Sequence, residues 1–275
     1  MTNQPTAPLI TLDFLKRRRE KAPPRILLYG GPGVGKTTLA ANMPNPIFMP
    51  IEDGLYNMTD VPAFPLVHSF GKLIEYIGWL VNEDHDFLTV VLDSLDWLEK
   101  IVWQETCDNN KWANIMQPGY GDGYAAALET WKFVVDGFEA LRNRRNMTLV
   151  LLAHAASQNF KSPETPPYDR WKPKLHESSK GNGANPYIIE MCDFVLYYGR
   201  RVAVTNDTQG AEKVGKGHNR GVGGGQRVIW TEDRPFAMAK NRDGMPADIN
   251  IPNDPTGKKA WEALASHISY FNQAA

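Results

Sequence analysis

The chain has 275 residues, 42% of them hydrophobic, which suits one large α/β domain, or one with a small appendage, and supplies enough apolar surface for a sizeable core. A formal net charge of -1 excludes a global basic field for nucleic acid and leaves room only for a local basic face. Two cysteines without metal-ligand spacing, Cys107 and Cys192, argue against a zinc site or a disulfide, and no apolar run reaches membrane-spanning length. Together with an N-terminus that lacks a secretory pattern, this gives the expectation of a soluble cytoplasmic protein.

Residues 1–23 read as a polar leader, and residues 24–275 as the main domain. Lys16-Arg17-Arg18-Arg19 in the leader suits a solvated helix face, with contact to DNA phosphates or a neighbouring subunit as the alternative. Ile26–Tyr29 reads as a buried parallel strand. Gly30-Gly31-Pro32-Gly33-Val34-Gly35-Lys36-Thr37 follows the P-loop pattern, and Thr38 opens a helix. Glycines let the backbone approach phosphates closely and adopt positive φ, and the helix N-terminus adds N–H donors. Lys36 is then expected to reach the β and γ phosphates of ATP, and the Thr37 hydroxyl to hold Mg²⁺.

A second apolar run, Pro46–Ile51, ends in Glu52-Asp53-Gly54. At the carboxyl end of a parallel strand Glu52 can polarise the attacking water, or it simply belongs to an acidic turn. Pro65–His68 reads as a short strand and Leu73–Val81 as a helix with Trp79 facing inward. Phe87–Asp93 is an apolar strand ending in a carboxylate, the Walker B pattern, so Asp93 is assigned to Mg²⁺ and Ser94 to its shell. Asp96 is expected to cap a helix over 97–106. Residues 108–124 read as a polar, Gly-rich loop pinned by Trp112, Tyr120 and Tyr124, with base stacking as the alternative. A long amphipathic helix follows over 125–142.

Met147–His154 reads as the next buried strand, with His154 at its end as a γ-phosphate sensor or as a locally satisfied histidine. Residues 155–186 carry no secondary-structure signal, and they mix Lys161, Arg170, Lys172, Lys174 and Lys180 with Phe160, Tyr168 and Trp171. That mixture points to single-stranded DNA, with a surface insertion as the alternative. A short helix over 187–191, a strand over 193–198 and a glycine- and lysine-rich tip over 206–225 come next. Two late strands, 226–231 and 235–239, end in Lys240-Asn241-Arg242. These two cations suit a solvated turn, or arginine fingers reaching a neighbour's ATP. An amphipathic helix over 258–271 closes the chain.

The ordered motifs GGPGVGKTT, FMPIEDGL, TVVLDSLD, LVLLAHA, YDRWKPKL and AKNRDG resemble the phage-encoded Sak-type single-strand annealing and recombination proteins, P-loop ATPases with a reduced RecA-type core. The resemblance spans residues 24 to 252. It implies an α/β fold with a mostly parallel central sheet flanked by helices and a late antiparallel hairpin. It places the catalytic carboxylate on Glu52, the Walker B carboxylate on Asp93, the nucleotide sensor on His154, the DNA loop on 157–185 and the trans-acting pair on Lys240 and Arg242. The implied activity is an Mg²⁺-requiring, DNA-stimulated ATPase that promotes annealing or homologous recombination. The implied partners are single-stranded DNA, further copies of the chain in a filament or ring, a single-strand binding protein and no membrane; in a phage this places it in the host cytoplasm. The rival functions are a nucleotide-switched assembly protein that binds no DNA and a P-loop small-molecule kinase. The adenine-stacking residue is open, with Tyr56 as the candidate.

Overall fold

The computed structural model describes residues 21–55, 58, 60–179, 181–207, 218–222 and 225–272. Residues 1–20 of the leader, Tyr56, Lys180 and the centre of the glycine tip lie outside the described residues. The elements run in the order β1 (Arg25–Gly30), α1 (Lys36–Ala40), β2 (Pro46–Pro50), α2 (Phe70–Asn82), β3 (Thr89–Asp93), α3 (Leu95–Asn110) and α4 (Asp122–Arg145). They continue as β4 (Thr148–Phe160), β5 (Tyr168–Pro173), α5 (Ala184–Met191), β6 (Phe194–Arg200), β7 (Ala203–Asp207), β8 (His218–Val222), β9 (Arg227–Trp230), β10 (Asp248–Ile251) and α6 (Lys258–Ala265).

The main sheet has the order β10-β9-β6-β1-β4-β3-β2, and β5 pairs with β4 beyond that path. The five strands β6, β1, β4, β3 and β2 are mutually parallel. β9 and β10 add an antiparallel edge, and β7 pairs with β8 in a separate ribbon. The central strands are apolar along their whole length because side chains alternate between two covered faces. Leu27 and Tyr29 of β1 enter one core with α2, α3, α4 and α5, through Leu73, Leu98, Trp131 and Ile188 among others. Ile26 and Leu28 enter the other with α1 and α6, through Leu39 and Leu264. Each such burial contributes about 1.5–3 kcal/mol. Cys107 and Cys192 are buried and free, in the role of core fillers.

Several elements differ from the sequence expectation. The segment 155–186 is not structureless. β4 continues to Phe160 and forms a hairpin with β5 over six residue pairs, and α5 follows. The extension is mostly half-buried or exposed, so backbone pairing carries it and no apolar run announces it. Residues 65–68 form no strand; Val67 N–H instead donates to the Pro50 carbonyl, and Ala63 bridges to Phe48. Residues 235–239 make isolated bridges only, and the second late strand is β10. Trp79 does not face inward. It is 44% exposed and stacks on His85 against the edge of Phe64. α4 starts three residues early, at Asp122, because Gly121 in the left-handed region ends the loop there.

The opposite ends of β1 and β6 are joined by charge. Asp193 accepts from the backbone N–H, Nε and Nη2 of Arg25 at 2.9–3.1 Å, and Arg25 Nη1 donates to Glu139 at 2.8 Å. Burial pushes the Asp193 carboxyl up, but the Arg25 hydrogen bonds outweigh it and the net shift is downward. A depressed acid stabilises the fold above its unfolded value, near pH 4, and that contribution fades as pH falls further. Asp193→Ala removes two of the three guanidinium hydrogen bonds of the half-buried Arg25, leaving it Glu139 alone, and is expected to lower unfolding free energy at pH 7 by about 2 kcal/mol in urea titration, while Asp243→Ala, at an exposed position nearby, changes it by less than about 1 kcal/mol.

Candidate functional site

The carboxyl ends of β1, β2 and β3 lie beside the middle of β4, and each of the four strands delivers a chemical group there. β1 enters the glycine turn. Gly30 is held against β6 so closely that a Cβ would lie 2.0 Å from the Tyr198 carbonyl oxygen, and Gly35 adopts φ 107° at the start of α1. The turn therefore keeps a conformation that L side chains resist. Lys36 is buried, and its Nζ donates to the carbonyls of Gly30 (3.0 Å) and Gly31 (3.1 Å). Burial lowers its pKa, and Asp93, Asp96 and Glu52 oppose that shift by charge. Within the motif Pro32 and Gly33 are exposed, Val34 is buried, and Gly31, Thr37 and Thr38 are half-buried.

The Thr37 hydroxyl donates to Asp93 Oδ2 at 2.8 Å, although 56 residues separate them. Asp93 is 5% exposed, and burial raises its pKa against the Thr37 hydrogen bond; nearby Glu52 raises it further. β2 pairs with β3 so that Pro50 lies opposite Asp93, which brings Glu52 beside Ser94. The Ser94 hydroxyl donates to Glu52 Oε1 at 2.9 Å. Ser94 thus orients the acid, a different role from the metal shell expected of it.

β4 separates β1 from β3, and its His154 lies opposite Gly30. His154 is not the end of its strand. It is the point where β4 leaves the main sheet for the hairpin. Its backbone N–H and ring Nδ1 both lie 3.1 Å from Asp96 oxygens. A carboxylate only accepts, so Nδ1 carries a proton, and Nε2 makes no hydrogen bond to a described residue. Asp96 is therefore no helix cap; Ser94 occupies the N-cap position, and Asp96 is 7% exposed, fixing His154. The apolar run and the turn announced a cap there, and only the three-residue offset from Asp93 hinted at more.

A magnesium ion fits this set. Among the described residues no three His, Cys, Asp or Glu side chains cluster as a metal cage. Magnesium accepts such sparse protein ligation, taking one or two side-chain oxygens together with phosphate and water. Thr37 and Asp93 are the oxygens available, and a buried carboxylate with a raised pKa gains from a cation. When bound, the metal supplies charge neutralisation for the transferred phosphoryl group.

One turn beyond Asp96, Glu99 accepts the His176 backbone N–H at 2.9 and 3.1 Å. Burial raises its pKa to about 7, and the His176 N–H pulls the other way. α3 thus ties the nucleotide edge to the loop after β5. The proposed DNA cations divide. Arg170 and Lys172 are buried and paired with Asp233 and Glu177, so they are not the open phosphate contacts that the sequence suggested. Lys161 and Lys174 are exposed, and Trp171 is 41% exposed. Lys240 donates to the carbonyls of Ile189 and Glu190, and exposed Arg242 pairs with Asp193 at 2.9 Å, both on the edge opposite the glycine turn.

Residues 22–243 match the family model described as an AAA domain, and the chain belongs to that family. It is a P-loop domain with the nucleotide-binding, ATP-hydrolysing character of the family. No curated protein matches the chain. No described helix is long and apolar enough to cross a membrane.

Lys36→Ala is expected to abolish binding of a fluorescent ATP analogue, measured by anisotropy. Glu52→Gln is expected to keep that binding and to lower kcat by at least about 100-fold, measured by phosphate release. Because Glu99 is raised in the fold, the native state holds its proton longer than the unfolded chain. Wild-type stability therefore declines as pH climbs from about 4.5 to about 7, and Glu99→Gln is expected to flatten that decline in denaturant titrations.

Proposed function

With the AAA-domain family as premise, we propose that this chain uses Mg-ATP hydrolysis to control its hold on single-stranded DNA during annealing or homologous recombination, as in the Sak-type proteins it resembles. The observation that carries the reading is the continuity of β4. One strand runs from His154, beside the glycine turn, to Phe160 at the tip of the β4–β5 hairpin. A change at its base is transmitted along a paired, stiff element.

The chemistry follows from the side chains. Lys36 grips the β and γ phosphates. Glu52, held by Ser94, takes the proton of the attacking water. With a second proton on Nε2, His154 donates to the γ-phosphate while Nδ1–H stays on Asp96, and loss of that phosphate alters the hold of Asp96 on β4. On the hairpin, Lys161, Lys174 and Trp171 contact the strand, with Phe160 and Tyr168, 5.4 Å apart, offering stacking faces. Arg242, on the far edge, reaches the ATP of the next copy in a head-to-tail ring or filament, so that ATP bridges neighbouring subunits. Lys240, spent on two carbonyls, positions that edge.

A second reading, a nucleotide-switched assembly protein without DNA, is favoured by one observation: Asp233 and Glu177 neutralise Arg170 and Lys172. ATP turnover with and without single-stranded DNA, at two salt concentrations, separates them. The DNA reading predicts stimulation that weakens with salt and is largely lost in Lys161→Ala/Lys174→Ala; unaltered turnover favours assembly and rejects DNA.

A further inference from the structure

The glycine turn has two flanks. Asp93, Glu52 and His154 all lie on the β4, β3 and β2 side of β1. On the other side stand β6 and β9. There Arg227 opens β9, opposite Arg200 of β6 and Ile251 of β10. Its Nη2 donates to the carbonyls of Pro252 (3.0 Å) and Asp254 (3.3 Å). Its Nη1 is turned to the glycine turn, 2.9 Å from where a Cβ on Gly35 would lie, with the Tyr198 hydroxyl 3.5 Å from that same point.

The guanidinium is pinned from behind. The turn over 252–257 that it grips is docked on α1: Asn42 Nδ2 donates to the Thr256 carbonyl at 2.8 Å, and a Cβ on Gly257 would lie 2.5 Å from the Thr38 carbonyl oxygen. One half of the fork is thus spent on holding Arg227 in place, and the other half lies beside the Tyr198 hydroxyl, against Gly35 of the glycine turn. Arg227 itself is half-buried.

We propose that Arg227 is a nucleotide-binding residue: Nη1 donates to the phosphate chain at the end away from Asp93, the diphosphate segment that ADP and ATP share. Three arguments support the assignment. The metal oxygens and the water-activating acid occupy one flank, which fixes the γ end there, so the opposite flank meets the remaining phosphates. A phosphate oxygen taken by the Gly35 N–H comes within reach of an amine packed against that residue. A guanidinium held by two carbonyls loses little freedom when it binds, and it pairs with phosphate more strongly than a neutral donor does. The absence of a side chain at Gly35 is then required twice, for the turn's φ and for the room that Nη1 occupies. The inference rests on nucleotide binding at the P-loop and is independent of DNA.

The test is titration of MgADP, MgATP and inorganic pyrophosphate into wild type, Arg227→Gln and Arg227→Lys, with the melting temperature of each recorded. Arg227→Gln is expected to weaken all three ligands alike, by about 10-fold to 100-fold. Arg227→Lys is expected to recover part of the loss. A folded Arg227→Gln that binds ADP as wild type does, or whose loss is confined to ATP, overturns the assignment. If Arg227→Gln does not fold, phenylglyoxal labelling of the wild type decides. Pyrophosphate is expected to slow modification of Arg227 and not of Arg200; equal rates at Arg227 with and without pyrophosphate refute the contact. A wild type that binds neither ADP nor pyrophosphate refutes the nucleotide site itself, an outcome distinct from a change at Arg227 alone.

Discussion

A hydroxyl from the first turn of α1 and a carboxylate from the last residue of β3 meet at 2.8 Å. The pair forms because β4 is inserted between β1 and β3 and holds their carboxyl ends at one level. The carboxylate is almost fully buried, with its pKa pushed up, and Lys36 beside it is buried with its pKa pushed down. Two opposite charges are each partly disfavoured in the same place. Such an edge is expensive to maintain without an ionic occupant and is complementary to one that brings both phosphate and a divalent cation.

The rest of the molecule keeps that edge rigid. Helices on both faces bury the sheet, and the Arg25–Asp193–Glu139 cluster locks the opposite ends of β1 and β6. Behind the first row of side chains lies a second row. Ser94 orients Glu52, and Asp96 fixes the tautomer of His154. These supporting contacts set direction, and direction decides whether a base can reach a proton or a ring nitrogen a phosphate. Glu99 then extends the acidic face of α3 to the loop after β5. A single helix thus touches both the nucleotide edge and the far loop.

The glycine turn, Lys36, Thr37 and Asp93 were legible in the sequence because their constraints are local: a turn needs glycines, a parallel strand needs an apolar run, and a carboxylate at its end faces solvent or metal. Glu52 was legible as a strand-end polar group, and His154 as the close of an apolar run that the structure continues to Phe160. The role of Asp96 was not, since a carboxylate just after a strand reads as a helix cap until the fold brings His154 to it. The β4–β5 hairpin was hidden for a different reason. Its β4 half is held by backbone pairing and not by burial, so Ser157, Gln158 and Asn159 carry no apolar period. Arg170 and Lys172 looked like surface cations because the sequence does not reveal that Asp233, 63 residues away from Arg170, closes over it.

Thr37 and Asp93 are placed to hold jointly the cation of a bound nucleotide. Electron paramagnetic resonance of Mn²⁺ in the presence of ADP tests it most directly. An immobilised, protein-bound Mn²⁺ signal is expected in the wild type, and in Asp93→Asn a signal that reverts toward that of free Mn-ADP while the nucleotide stays bound. An Asp93→Asn protein whose bound Mn²⁺ signal matches that of the wild type would contradict it.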